Sequence, residues 1–218
     1  MEKKIASLFV ETNGIYFSDA MIDPWDIERD AFKYKGPHPV IAHPPCKRWG
    51  RYWSGGPSAK IKRIKGADDN SFAHSLWCAR TFGGVIEHPE ASHAYEWFGI
   101  KRPVLGGWIK ADNWGYTTCV AQGNYGHRAR KLTWLYVVNG NLIDLDWSVP
   151  KKERLDEGFH SKEERDKARL MGQKPVKRLS EKENLATPRG FKRLLKQIVN
   201  TTTYNHTINS QVAEKREN

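Results

Sequence analysis

The sequence predicts an α/β fold built on a mainly parallel sheet. Two short apolar runs each end in a polar motif that contains proline: residues 40–42 lead into His-Pro-Pro-Cys, and residues 85–86 lead into Glu-His-Pro. A segment with the apolar spacing of a helix, Ser71–Phe82, lies between them. Two units of strand and motif separated by a helix are the pattern that parallel sheets produce.

The residues before the first motif are expected to supply two more strands and a helix. Asp23 can cap a helix and Pro24 can occupy its first position, and the glycine and prolines of residues 36–39 would end it. We therefore predict strands at residues 4–10 and 14–17 and a helix at residues 27–34.

The residues after the first motif divide into a loop, a second group of strands and a basic extension. Residues 47–70, with their glycines and many charges, predict a long loop, which would be either a functional lid or a disordered segment. Strands are predicted at 117–121 and 131–138, with a turn at 122–126 and a hairpin at 139–141 leading into 142–145. We expect a catalytic-type core at 1–150, a basic helical extension at 151–200 that ends in an amphipathic helix at Arg189–Val199, and a flexible tail at 201–218.

Charge and cysteine content narrow the classes of protein and partner. A formal net charge of +11 favours an anionic partner, with nucleic acid first, although a generally basic protein is the alternative. The three cysteines form no Cys-x-x-Cys pair, so neither a disulfide framework nor a thiolate zinc site is predicted. No signal peptide is recognisable, and no segment reaches the roughly 18 apolar residues of a membrane span. We therefore expect a cytoplasmic location, in a bacterial host cell.

Three polar clusters hold the candidate functional residues. Cys46 ends the first motif and Glu87 begins the second, both just beyond a predicted strand. The third cluster precedes the last predicted strand and comprises Tyr125, His127, Arg128, Arg130 and Lys131. Reactive groups gather beyond the carboxyl ends of strands in open α/β sheets, so we expect these clusters to share a site.

The order of these motifs resembles that of the cytosine-C5 DNA methyltransferases, in which Pro-Cys, a glutamate motif and an arginine-rich stretch follow one another. Residues 40–131 are also similar to small bacteriophage and prophage proteins that share AHPPC, EHP and YGHxARK, and residues 177–183 faintly resemble a later signature of the methyltransferases. The resemblance implies a Rossmann-like, methyltransferase-related sheet. It would be truncated at the cofactor end, because only about three dozen residues separate Phe9 from Cys46.

The resemblance also implies roles for individual residues. Cys46 would attack C6 of a flipped pyrimidine and Glu87 would hold the ring nitrogen, while Arg128 and Arg130 would contact base and phosphate. The methyl donor would be S-adenosylmethionine, and its candidate ligands are Phe9, Gly14, Asp23 and Asp26.

Elementary chemistry agrees with this interpretation. A thiolate is a soft nucleophile suited to C6, and Lys47, Arg48 and Arg51 are expected to favour the thiolate form of Cys46. A basic, aromatic loop could bind phosphates and stack on bases. The predicted DNA-binding residues are Pro45, Arg48, Trp49, Arg51, Tyr52, Trp53, Lys62, Arg63, Tyr125, His127 and Lys131.

Other interpretations of the same residues remain open. Cys46 could be a buried cysteine in a rigid turn, and the loop aromatics could form a small core of their own. His43, His88, His93 and His127 match no standard zinc spacing, so no metal is predicted. Alternative functions are a pyrimidine modification without S-adenosylmethionine, on DNA or a nucleotide, and a catalytically inactive DNA-binding protein of the bacteriophage type.

Overall fold

The computed structural model describes residues 4–55, 63–155, 162–172 and 179–199. Its strands are β1 (Ile5–Leu8), β2 (Ile22–Trp25), β3 (Val40–Ala42), β4 (Gly84–Pro89), β5 (Ile109–Lys110), β6 (Gly115–Ala121) and β7 (Leu132–Val138). Its α-helices are α1 (Ser71–Phe82), α2 (His93–Trp97), α3 (Lys162–Leu170), α4 (Glu181–Leu185) and α5 (Arg189–Val199), with short 3₁₀ segments at Ala31–Lys33 and Gln122–Tyr125.

The strands form one seven-stranded mixed sheet in the order β2-β1-β3-β4-β7-β6-β5. The first four strands in that order are parallel, whereas β7 runs antiparallel to both β4 and β6, and β5 runs antiparallel to β6. Ala42 of β3 pairs with Ile86 of β4, which sets the two predicted motifs side by side. The predicted α/β class and the parallel core of the sheet are confirmed.

Helices cover the two faces of this sheet. On one face, α1 buries Phe72 in a cluster with Ala42 and Ile86. On the other face, α5 buries Phe191 and Leu195 in a second cluster with residues of β3, β4 and β7. The C-terminal helix is therefore a layer of the core, because its apolar stripe is covered by the sheet.

The sequence prediction is wrong for the segment between β1 and β3. Residues 14–17 form turns, and the second strand is β2, with a 3₁₀ segment at Ala31–Lys33 in place of the predicted helix. Pro24 lies inside β2 without breaking it, because β2 is at the edge of the sheet. The Asp26 carboxylate accepts a hydrogen bond from the Arg29 backbone N–H (3.0 Å) and so stabilises the turn that follows.

The predicted hairpin after β7 is also wrong, because residues 141–150 contain no strand. The Asn141 backbone N–H donates to the carbonyl of Ile198 in α5 (2.8 Å), and the Trp108 indole donates to the carbonyl of Ile143 (2.8 Å). Ile143, Leu145 and Trp147 of this segment thus pack in or against the apolar cluster of α5 rather than extend the sheet. None of the helices in the described ranges has the length and apolar character to cross a membrane.

Candidate active site

A cleft of about 900 Å³ opens at the carboxyl ends of the parallel strands. The chain places β2 on one side of β1 and β3 on the other, and ligands bind at such a switch point in open α/β sheets. The walls of the cleft are the loop after β1, the Pro-Pro-Cys turn after β3 and the end of β4. Residues 181–187, which comprise α4 and the segment after it, complete the lining. The volume is that of a site for a small molecule or a single nucleotide.

Cys46 lines this cleft and is partly exposed. Its carbonyl accepts hydrogen bonds from the backbone N–H groups of Trp49 (2.9 Å) and Gly50 (2.8 Å), which fixes a tight turn. Burial raises the pKa of the Cys46 thiol, the negative charge of Glu87 raises it further, and Lys131 lowers it by less. The expectation that neighbouring cations favour the thiolate is therefore wrong: the resting group is a thiol.

Glu87 lies in the same cleft, with a hydrogen-bond donor on each carboxylate oxygen. His43 Nδ1 donates to Oε2 (3.0 Å), and the Gln122 side-chain amide donates to Oε1 (3.0 Å). Burial raises the pKa of Glu87, but the hydrogen bond from His43 and neighbouring positive charge, including that of Lys131, outweigh it, so the pKa is lowered overall. The resting site thus combines a protonated thiol with an ionised carboxylate.

His88 lies beneath the Pro-Pro-Cys turn and is completely buried. Burial lowers its pKa to about 4, although Glu87 and Asp68 and the carbonyls of Pro44 and Pro45 act in the opposite direction. Nδ1 of the neutral ring is 2.6 Å from the Ser92 hydroxyl. Within the described residues, no group of three histidine, cysteine or acidic side chains is arranged to hold a metal ion.

Of the aromatic residues after Cys46, Trp49 lies in the core, whereas Tyr52 and Trp53 line the cleft. Trp49 is 1% exposed, donates from its indole to Asp68 (2.7 Å) and contacts the rings of Trp97 and Phe98. Its predicted role in DNA binding is wrong, because its ring is not available to a base. The predicted residues that do line the cleft are Pro45, Arg51, Tyr52, Trp53, Arg63 and Lys131, whereas Arg48 does not and Lys62 lies outside the described residues.

The third polar cluster, residues 125–131, supports the wall of the cleft. Of its side chains, only that of Lys131 lines the cleft itself. His127 is buried and its Nε2 donates to the carbonyl of Glu183 (3.3 Å), while Arg128 forms an ion pair with the Glu183 carboxylate (3.4 Å). Lys131 Nζ donates to the carbonyl of Asn184 (2.5 Å). The cluster therefore anchors α4.

Four residues predicted to contact the base or DNA, Tyr125, His127, Arg128 and Arg130, thus do not line the cleft. The Arg128 guanidinium pairs with Glu183 of α4. The Tyr125 ring is tilted against that of Phe191, and its hydroxyl accepts from the Asp146 N–H (2.9 Å). The physical reason is that these side chains are taken up by the cleft wall and the core: Arg128 pairs with Glu183, His127 bonds to the Glu183 carbonyl, and Tyr125 contacts Phe191.

The four predicted ligands of S-adenosylmethionine are divided. Phe9 and Gly14 line the cleft, but Asp23 and Asp26 do not. Asp23 accepts hydrogen bonds from Arg29 and from the Trp25 indole, and Asp26 accepts from the Thr12 hydroxyl (2.8 Å). Both carboxylates lie outside the cleft and already accept hydrogen bonds from neighbouring side chains, so they do not fit as ribose ligands in this cleft.

Tyr16 and Gln122 belong to the site although the sequence interpretation did not include them. The Tyr16 hydroxyl is 2.7 Å from His43 Nε2, and Gln122 also donates to the Thr133 hydroxyl (2.9 Å).

Comparison of the chain with protein-family models, curated proteins and solved structures finds no match. The geometry of the cleft therefore carries the functional conclusion.

Proposed function

We propose that the chain is a DNA-modifying enzyme in which Cys46 adds to C6 of a flipped pyrimidine, with methyl transfer to C5 of cytosine as the leading reaction. The observation that supports it is the position of Cys46 and Glu87 in one cleft, at the ends of paired strands. Glu87 and Cys46 also interact electrostatically, which agrees with their lying close enough for one planar base to meet both side chains.

The addition accounts for both side chains. The thiol loses its proton, an S–C6 bond forms, the C5=C6 double bond opens, and C5 becomes nucleophilic. Electron density moves toward N3, which takes up a proton, and the ionised Glu87 accepts a hydrogen bond from N3–H. The thiol proton passes by way of the Glu87 carboxylate to N3, so the proton that sulfur loses is the proton that the ring gains, and Glu87 is again ionised when it accepts the hydrogen bond from N3–H.

The rim of the cleft suits a nucleic acid strand. Tyr52 is 51% exposed, and Trp53 lies under the Lys65 ammonium at 5.0 Å from its ring centre. Arg51 and Arg63 also line the cleft. Aromatic rings can stack on unpaired bases, and cations can contact phosphates, which a flipped nucleotide requires.

We also propose that the sheet is Rossmann-like and related to that of the methyltransferases. Its support is the set of adjacent parallel strands β1, β3 and β4, whose carboxyl ends meet at the cleft. In the described residues the sheet ends at β2, which agrees with truncation on the cofactor side.

The addition to C6 does not depend on which methyl donor follows it. S-adenosylmethionine would supply an electrophilic methyl group, but Asp23 and Asp26 do not fit it, so no step above passes through it. This mismatch favours a second candidate, in which the same addition to C6 precedes modification by another donor, on DNA or on a free nucleotide.

The test is exchange of the C5 hydrogen, which needs addition to C6 but no methyl donor. DNA with tritium at cytosine C5 should release the label into water, because C5 of the adduct takes a solvent proton before Cys46 is eliminated. Cys46→Ser should abolish release, while Cys119→Ser, a change in a buried cysteine of β6, should retain it. Release from duplex DNA, single-stranded DNA and dCMP, with and without S-adenosylmethionine, separates the two candidates. If wild type and Cys46→Ser release label equally, the proposal fails and an inactive DNA-binding protein is the better account.

A further inference from the structure

A continuous line of hydrogen bonds includes the Glu87 carboxylate. It begins at Tyr16 in the loop after β1, passes through His43 at the end of β3 and Glu87 in β4, and reaches Gln122 after β6. The successive distances are 2.7, 3.0 and 3.0 Å. Four segments that are distant in sequence thus meet at one carboxylate.

The direction of each hydrogen bond follows from chemistry. An ionised carboxylate only accepts, so His43 Nδ1 carries the hydrogen that is donated to Glu87. Nε2 of a neutral His43 ring then accepts from the Tyr16 hydroxyl. Burial and the charge of Glu87 raise the pKa of Tyr16, so its hydroxyl keeps the hydrogen that it donates. Every donor in the line is therefore directed toward Glu87.

Tyr16 is itself held firmly in place. Its side chain is 3% exposed, and its ring lies 5.4 Å from the His43 ring. Thr187, in the wall of the cleft, lies near the Tyr16 hydroxyl and lowers its pKa by less than burial raises it. The line thus begins at a buried hydroxyl and ends at the amide of Gln122, with the carboxylate between them.

We propose that His43, oriented by Tyr16, is a positioning residue that fixes the direction in which the Glu87 carboxylate faces the base. This inference rests on the proposed function, since it assigns a role within the same reaction. With one oxygen held by His43 and the other by Gln122, the carboxylate cannot rotate about its last bond without losing both donors. The hydrogen on N3 then meets an acceptor whose place is set before the base arrives.

Two substitutions separate the two nitrogens of His43. In His43→Asn, the side-chain amide occupies the place of Nδ1 and can still donate to Glu87, but the contact with Tyr16 is lost. In His43→Gln, the amide reaches the place of Nε2 and keeps Tyr16 but not Glu87. We expect His43→Asn to lower the kcat for C5-hydrogen exchange only several-fold, through loss of the Tyr16 contact, and His43→Gln to lower it about 100-fold, with KM for DNA little changed in both.

Tyr16→Phe completes the design as a double-mutant cycle. It should lower kcat several-fold in the wild-type background and have no effect in His43→Asn, where Nε2 is absent. Melting temperatures of all variants, measured in parallel, identify any loss that is due to unfolding.

The outcomes distinguish the two proposals. If wild type exchanges C5 hydrogen in a Cys46-dependent manner but the two His43 variants lose kcat equally, the addition chemistry stands and the positioning role is overturned. Additive effects of Tyr16→Phe and His43→Asn would also overturn it. If wild type shows no exchange at all, the proposed function and this inference fail together.

Discussion

Trp49 offers the sharpest test of how the structure divides the aromatic loop. Its side chain is 1% exposed, and its indole N–H donates to the Asp68 carboxylate at 2.7 Å inside the core. Trp49→Phe keeps most of the ring but removes the donor, which costs about 2 kcal/mol for a buried hydrogen bond to a charged group. For a chain of this size, that cost lowers Tm by roughly 4–8 °C.

The assay is thermal and urea-induced unfolding of Trp49→Phe beside Trp53→Phe. The matched variant changes the same residue type in the cleft, so its stability should stay within about 0.5 kcal/mol of wild type. The reasoning is refuted if Trp49→Phe unfolds like wild type and instead weakens DNA binding, because the ring would then be facing the ligand.

Three further predictions follow from the site. Glu87→Gln should accelerate alkylation of Cys46 by iodoacetamide at pH 8, because loss of the negative charge lowers the pKa of the thiol; an unchanged or slower rate, measured by peptide mass spectrometry, would contradict the electrostatic coupling. Folded His88 stays neutral down to about pH 4 whereas unfolded His88 takes up a proton below 6.5, so its contribution to the free energy of unfolding, roughly 3 kcal/mol, is lost as pH falls through that window. His88→Gln should therefore show a flatter dependence of stability on pH, and an equally steep one would argue against a neutral buried ring. Tyr52→Ala and Trp53→Ala should each weaken single-stranded DNA binding by about 1–3 kcal/mol if they stack on bases, and affinities equal to wild type in fluorescence anisotropy would exclude that role.

Much of the fold could be predicted because apolar periodicity reports burial directly. The bounds of α1 and α5 agree with the helical spacing of their apolar residues. The strand before Cys46 and the strand that contains Glu87 were predicted from short apolar runs, which are typical of central parallel strands because both faces of such strands are buried. The cleft at their ends followed from the general position of sites in such sheets.

The wrong predictions concern residues whose partners are distant in sequence. Pro24 in β2 suggests a helix start, and only its place at the sheet edge makes a strand possible. Trp49 follows Cys46 in a basic loop, and its burial depends on contacts with Asp68 and the rings of α2 and the adjoining residues.

The site residues that sequence reasoning missed had a weak signal. Gln122 directly follows β6, a strand that runs parallel to β4, so its side chain begins at the same edge of the sheet as Glu87. That orientation could not be inferred without knowing that β7 lies between the two strands. The thiol state of Cys46 was hidden for a related reason: adjacent cations are visible in sequence, but burial and the nearby Glu87 are not.

The central claim is that Cys46 bonds to C6 of a pyrimidine while Glu87 supports the ring from across the cleft. The most direct measurement is mass spectrometry of peptides from the protein after incubation with DNA that contains 5-azacytosine, whose adduct needs no methyl donor to form. We predict that the peptide with Cys46 carries the nucleotide in wild type and that the adduct is absent from Cys46→Ser and strongly reduced in Glu87→Gln. An unmodified Cys46 peptide, or an adduct on another residue, would contradict the account.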